Sequence, residues 1–265
     1  MGRLVVLALL TLLGLLPGLA SAQTWHEKTS SHFRVWYQQH PAFANATLQH
    51  AEIYYRQIQL DLGLTHVVQR EQRPWLWEQR CQIYLYPDRL TYQQATGAPA
   101  WSGGFVKHRQ RLIYSYMGAD TFLEQILPHE LAHILFREFV GSDNPRIPRW
   151  LDEGVAQYAE EGRRAASWGT MQHWLSQDVY IPLAQLQTLR LGHAAHGAAQ
   201  VFYIQAATLV HFFITVYGPR RFLDFCSNLR DGYTLERALS FATGSSLSSL
   251  DALEDAWRAF LLSDP

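Results

Sequence analysis

Residues 129–133 read His-Glu-Leu-Ala-His, inside the run Ile126-Leu127-Pro128-His129-Glu130-Leu131-Ala132-His133-Ile134-Leu135-Phe136. Imidazole nitrogens suit a borderline-soft ion such as zinc, and a carboxylate beside them can move a proton. On an α-helix, residues i and i+4 lie about 40° apart around the axis, so His129 and His133 project from one face, one turn apart, and both rings can reach one ion. Glu130 lies about 100° round from His129, on the flank of that face, where it can reach a water on the ion without itself being a ligand. An ordinary helix with two surface histidines could carry the same five residues, but the apolar flanks weigh against it.

A catalytic zinc takes three protein ligands and leaves the fourth position for water, so a second element must supply one more donor. Glu153 follows His133 by 20 residues, in Arg149-Trp150-Leu151-Asp152-Glu153-Gly154-Val155-Ala156-Gln157-Tyr158. Between them, Gly141, Pro145 and Pro148 end the first helix and let the chain return. Asp152 reads as a helix cap, because Asp is favoured at helix starts.

Taken together, these residues resemble the gluzincin zinc metallopeptidases, the peptidase-MA-like group that includes thermolysin and the aminopeptidase N-like enzymes. His129-Glu130-x-x-His133 with Glu153 has the group's ligand spacing, and Trp150-Leu151-Asp152-Glu153-Gly154-Val155-Ala156 looks like the Trp-Leu-Asn-Glu-Gly-Phe-Ala pattern of the aminopeptidase-like branch. The likeness runs from about Trp101 to the C-terminus and is strongest from Leu127 to Glu160. It implies one Zn2+ on His129, His133 and Glu153, with Glu130 as general base, and it selects Glu153 over Asp152 as third ligand. It also implies a tyrosine on a later helix that assists the oxyanion. Tyr203, in Phe202-Tyr203-Ile204-Gln205-Ala206-Ala207, has similar surroundings, although a tyrosine on an apolar helix is also an ordinary core residue.

The chain departs from the family pattern twice. Aminopeptidases carry Gly-x-Met-Glu-Asn on the edge strand before the zinc helix, where its carboxylate binds a free amino terminus; the corresponding stretch here reads Trp101-Ser102-Gly103-Gly104-Phe105, which favours an endopeptidase. Four residues after Glu153, where a thermolysin-like enzyme has an Asp that orients a histidine ligand, this chain has Gln157. Glu160, seven residues on and on nearly the same helix face, is the alternative acceptor behind a histidine.

The elements that must hold these groups read as α+β, zincin-like. His32–Tyr37 and Gln82–Tyr86 have strand patterns, separated by a helical repeat through Phe43, Leu48, Ala51, Ile53, Tyr54, Ile58 and Leu62 that Gly63 ends. Gly103–Val106 and Arg111–Tyr116 read as an edge hairpin turning near His108-Arg109-Gln110, and Gln69–Arg80 as a loop. From Asp120 the periodicity stays helical, so a small mixed N-terminal sheet (23–119) precedes a mainly helical half (120–265), with the chemistry expected in the cleft between them. Residues 23–265 are expected to form one zincin-like domain. The apolar stretch Ala198–Tyr217 is interrupted by Gln200, Gln205, Thr208 and His211, and reads as a buried core helix in which His211 is a satisfied core residue. His193 and His196 have no nearby carboxylate, which argues against a second metal site.

Met1-Gly2-Arg3, the apolar run from Leu4 to about Leu16 and the triplet Ala20-Ser21-Ala22 have the layout of a secretory signal peptide covering residues 1–22. The expected location is therefore secreted or periplasmic, with no stable membrane span after cleavage. At 48% hydrophobic and 17% charged the composition is that of a globular protein, and a net charge of −1 gives no electrostatic reason to expect nucleic acid as a partner. Cys81 and Cys226 read as two separate buried thiols. The expectation is a zinc-dependent peptidase acting on extended polypeptides, an endopeptidase in preference. An inactive zinc-binding scaffold, or a hydrolase of non-peptide substrates on the same frame, would share every one of these residues.

Overall fold

The computed structural model describes residues 24–66, 75–100, 102–119, 121–189 and 196–263. The signal segment, the first part of the 69–80 loop, Trp101 and His193 lie outside the described residues, as does the side chain of His196.

Five strands form one sheet in the order β1-β2-β3-β5-β4. They are β1 (His26–Thr29), β2 (Phe33–Tyr37), β3 (Cys81–Tyr86), β4 (Gly104–Lys107) and β5 (Leu112–Tyr116). The central strands β2, β3 and β5 run parallel, while β1 and β4 are antiparallel edges. The alternation legible in the sequence sets the faces: Phe33, Val35, Cys81, Ile83, Leu85 and Ile113 point into the core. On the other face Trp36, Tyr84, Tyr114 and Phe105 stand in register and stack across all four strands, with ring centroids 4.9–6.2 Å apart.

Helix α1 (Pro41–Asp61) crosses over between β2 and β3 and buries Ala44, Leu48, Ala51, Tyr55 and Ile58. Trp75 packs edge-on to Phe33 and beside Tyr55, and its indole donates to Glu138 Oε2 at 2.9 Å. Two elements were missed in the sequence. β1 is a polar edge, His-Glu-Lys-Thr, whose pairing is a backbone affair with no apolar alternation. The short helix α2 (Arg89–Thr96) buries only Tyr92 and is specified by its ends: Asp88 caps it by accepting from Thr91 N, and Gly97 closes it at φ 69°.

The helical half comprises α3 (Leu127–Val140), α4 (Arg149–Ala159), α5 (Glu161–Ser176), the single turn α6 (Leu183–Leu186), α7 (His196–Arg230), α8 (Leu235–Thr243) and α9 (Leu250–Leu262). α7 bends where Gly218 takes φ 84° ahead of Pro219. Its length and hydropathy would suffice to cross a membrane, yet Phe202, Ala206, Leu209, Val210 and Phe213 are buried in the protein core. Cys81 and Cys226 are free and buried, on β3 and α7.

Candidate metal centre and its cleft

α3 is apolar almost all round: Leu127, Leu131, Ala132, Ile134, Leu135 and Phe136 are at most 1% exposed, so its polar residues are presented from a helix fixed on every side. It stops at Gly141, whose φ of 91° few other residues tolerate. The return segment is tied down by Asn144, whose side chain donates to Val140 O and accepts from Arg146 N. α4 then starts behind Pro148 and packs on both α3 and α7. Gly154 makes the second contact possible: a Cβ there would sit 2.5 Å from Ala206 O, so α4 and α7 touch backbone to backbone and Glu153 is fixed in height.

This packing brings His129, His133 and Glu153 together, with one donor atom from each within 4.8 Å of the others. The two Nε2 atoms are 3.2 Å apart, and His133 Nε2 lies 3.7 Å from Glu153 Oε2. A tetrahedral zinc site with bonds of 2.0–2.2 Å requires donor separations of about 3.3–3.6 Å, and the two separations at His133 Nε2 lie at the edges of that range. The remaining ring nitrogens argue for a cation as well. His129 Nδ1 is 2.8 Å from Glu160 Oε1, and His133 Nδ1 is 3.2 Å from Asp152 Oδ1 across a bent contact. With both Nδ1 atoms facing carboxylates, both Nε2 atoms are left as lone-pair donors aimed at one point.

Each carboxylate is in turn held by an arginine. Arg163 Nε is 3.2 Å from Glu160 Oε2, Arg137 donates to Asp152 Oδ2 at 2.6 Å, and Arg149 Nε is 3.4 Å from Glu153 Oε1. The Asp152 finding corrects the sequence reading, in which it capped α4. It lies in the first turn but makes no cap hydrogen bond; its carboxylate is turned across to α3, where a histidine and an arginine reward it more than backbone N–H groups would. Burial alone would raise its pKa; the His133 and Arg137 contacts win and lower it to about 2. Burial likewise opposes protonation of His133, but Asp152, Glu130 and Glu153 outweigh it and raise its pKa.

Glu130 lines the cleft beside His129. Burial holds it above the ordinary carboxylate range, helped by Glu153 and Glu160 and opposed by the two histidines, which makes it a better proton acceptor than an exposed Glu. Tyr203, on α7, is half-buried. Burial and the Glu153 charge raise its pKa while Arg149 opposes, so its hydroxyl keeps its proton near the Glu153 carboxylate.

A cavity of about 270 Å³ opens beside His129 and Glu130, lined also by Ser102, Gly103, Gly104, Ile126, Gln157 and Glu160. The cleft thus lies between the β4 edge and the helices. A Cβ on Gly104 would come 2.8 Å from Ile126 Cγ2 and 3.0 Å from Tyr114 O, and one on Gly103 would push the Ile126 side chain aside. Among the described residues β4 pairs only with β5, and Gly104 at its start lines this cleft.

Two histidines differ from expectation. His211 is half-buried against Trp168 and Tyr158, but its Nδ1 has no partner among the described residues, so it is not the satisfied core histidine the sequence suggested. His108, in the β4–β5 turn, was read only as a turn position. Its ring lies edge-on to His133 at 5.5 Å, its Nδ1 is buried without a partner among the described residues, and burial together with His133 and Arg137 lowers its pKa to about 4. One histidine in a polar turn gives no local signal; only the pairing of β4 with β5 swings that turn over α3.

The family model of the Peptidase MA superfamily matches residues 73–263. The chain belongs to the Peptidase MA superfamily. No curated protein matches it. The matched span begins before β3 and reaches the end of α9, so a Peptidase MA fold includes every donor atom described above.

Proposed function

We propose that this protein is a secreted or periplasmic zinc-dependent endopeptidase, with His129, His133 and Glu153 holding one zinc ion, Glu130 as general base and Tyr203 assisting the oxyanion. The observation that carries this reading is the convergence of three donor atoms within 4.8 Å beside a Glu130 whose basicity is raised by burial, under an open strand edge. Zinc, when bound, supplies a Lewis acid that lowers the pKa of water toward about 7 and polarises a carbonyl.

The other steps belong to the chain. The β4 edge pairs with the backbone of an extended peptide and lays the scissile bond across the cleft. Glu130 takes the proton of the attacking water and passes it to the leaving amine nitrogen, so that the C–N bond breaks to give a neutral amine. Tyr203 donates its hydroxyl hydrogen bond to the carbonyl oxygen as negative charge develops there. Glu160 and Asp152 keep the two rings in the tautomer that leaves Nε2 free.

Mass-spectrometric mapping of new termini in a denatured protein mixture tests this reading. Internal cleavages by the zinc-loaded wild type that vanish with Glu130→Gln support it. Hydrolysis of small-molecule esters or amides without peptide cleavage would replace it with a different hydrolase, and zinc binding without any turnover would leave a scaffold. N-terminal sequencing of exported protein beginning at Gln23 tests the location.

A further inference from the structure

A second cavity, of about 450 Å³, adjoins the first along α5 and α7, and the two share Gln157 and Arg163 as a common wall. Its other lining is neutral: Ser167, Thr170, Gln200, Tyr203 and Ile204 among it, with Arg163 the one charged side chain. Arg163 lies in the first turn of α5 and is 51% exposed. Its ion pair with Glu160 runs through Nε, which leaves the two terminal nitrogens of the planar fork outside that contact, and the side chain lines both cavities. Such a fork binds a carboxylate through two parallel hydrogen bonds, and neutral walls leave its charge uncompensated on that side. Glu160 divides its carboxylate between His129 Nδ1 and Arg163 Nε.

From this arrangement we infer that Arg163 is a specificity-determining residue, which selects substrates with an Asp or Glu side chain next to the scissile bond. The inference rests on the peptidase reading. An acidic side chain reaching from the reaction cavity into the neutral one meets the guanidinium there, with Ser167, Thr170 and Gln200 as further hydrogen-bond partners. A lysine or arginine side chain at the same place meets like charge. Arg163 also steadies Glu160, so a loss of activity on mutation alone would not separate selection from positioning.

The discriminating quantity is a ratio. Pairs of peptides that differ only by Glu against Gln beside the cleaved bond are compared by kcat/KM on the zinc-loaded full chain, and by Kd on zinc-loaded Glu130→Gln. Wild type should favour Glu by about tenfold or more in both measures. Arg163→Gln should bring both ratios to about one, Arg163→Lys should keep part of the preference, and Arg163→Glu should favour Lys over Glu. A merely positioning arginine would lower all peptides together and leave the ratio unmoved, and a wild-type ratio near one, or one that survives in Arg163→Gln, overturns the inference. Binding preference without cleavage would sink the peptidase reading and leave Arg163's role standing; neither preference nor cleavage would sink both.

Discussion

His129 and His133 are supported by the same arrangement, a carboxylate behind the ring and an arginine behind the carboxylate, but the two supports sit in different surroundings. The His133–Asp152–Arg137 arm lies between α3 and α4, with the ring 9% exposed and the arginine 33%. In the His129–Glu160–Arg163 arm the carboxylate is as buried, at 3%, but the ring is 20% exposed and the arginine 51%, on the wall of the cleft. Charge pairs cost more to break where water cannot replace the lost partner. The inner arm therefore anchors α3 and α4 to each other, and the outer arm, with its arginine half in solvent, is the one that the proposed function puts against substrate.

The largest expected effect removes the rings themselves. His129→Ala and His133→Ala should both lose stoichiometric zinc by metal analysis and all turnover, since three donors are needed for an oriented site. Equal zinc content in wild type and either variant would break the comparison at its root. Glu130→Gln should keep zinc and lose turnover by at least about 100-fold.

Neutralising the carboxylates separates the arms. Asp152→Asn and Glu160→Gln should each weaken zinc binding by about 10–100-fold in a competition titration with a chelator. Only Asp152→Asn should also lower the thermal midpoint of the metal-free protein clearly, because it leaves Arg137 and His133 without their buried partner. Equal destabilisation by both changes would erase the distinction drawn between anchor and wall.

Acidity probes the inner arm without mutation. Asp152 has its pKa lowered to about 2 from 3.8, so its share of the metal-free protein's stability is complete above about pH 4 and is lost as pH falls through 2. The His133 pKa is raised from 6.5, so its share is complete below 6.5 and is lost as pH rises through the folded value. The ion pair thus stabilises the metal-free protein most between about pH 4 and 6.5, and that excess should disappear in Asp152→Asn. Denaturant midpoints across pH 2–8 measure it.

Tyr203→Phe should cut turnover about 100-fold and leave zinc content and stability nearly unchanged, because one donor is lost from the transition state alone. Unchanged turnover with lowered stability would return Tyr203 to the core.

How much of this was legible follows from where each contact is encoded. His129, Glu130 and His133 share one helical segment, so i and i+4 geometry brings them together before any tertiary structure is known. Glu153 needed a return of the chain, which Gly141 and the prolines announce, and Glu160 followed from its seven-residue offset on the same face. Asp152 was misread because capping is a local rule, and the contact that overrides it comes from α3. Arg137, one turn beyond His133, was available to the same helical reasoning. β1, α2 and His108 were missed because their placement comes from backbone pairing, capping and hairpin register, none of which leaves an apolar pattern. Gly154 was legible as part of a motif, but its reason, the carbonyl of Ala206 lying 2.5 Å from where a Cβ would stand, was not.

The central claim is that one zinc ion sits on His129, His133 and Glu153 with Asp152 outside its coordination shell. Anomalous diffraction at the zinc edge on crystals of the zinc-loaded protein tests it most directly. One full-occupancy peak is expected about 2.0–2.2 Å from both Nε2 atoms and a Glu153 carboxylate oxygen, with Asp152 still on Arg137 and the His133 Nδ1. A peak bound by the Asp152 carboxylate with Glu153 turned away, or no peak between the two histidines, would contradict it.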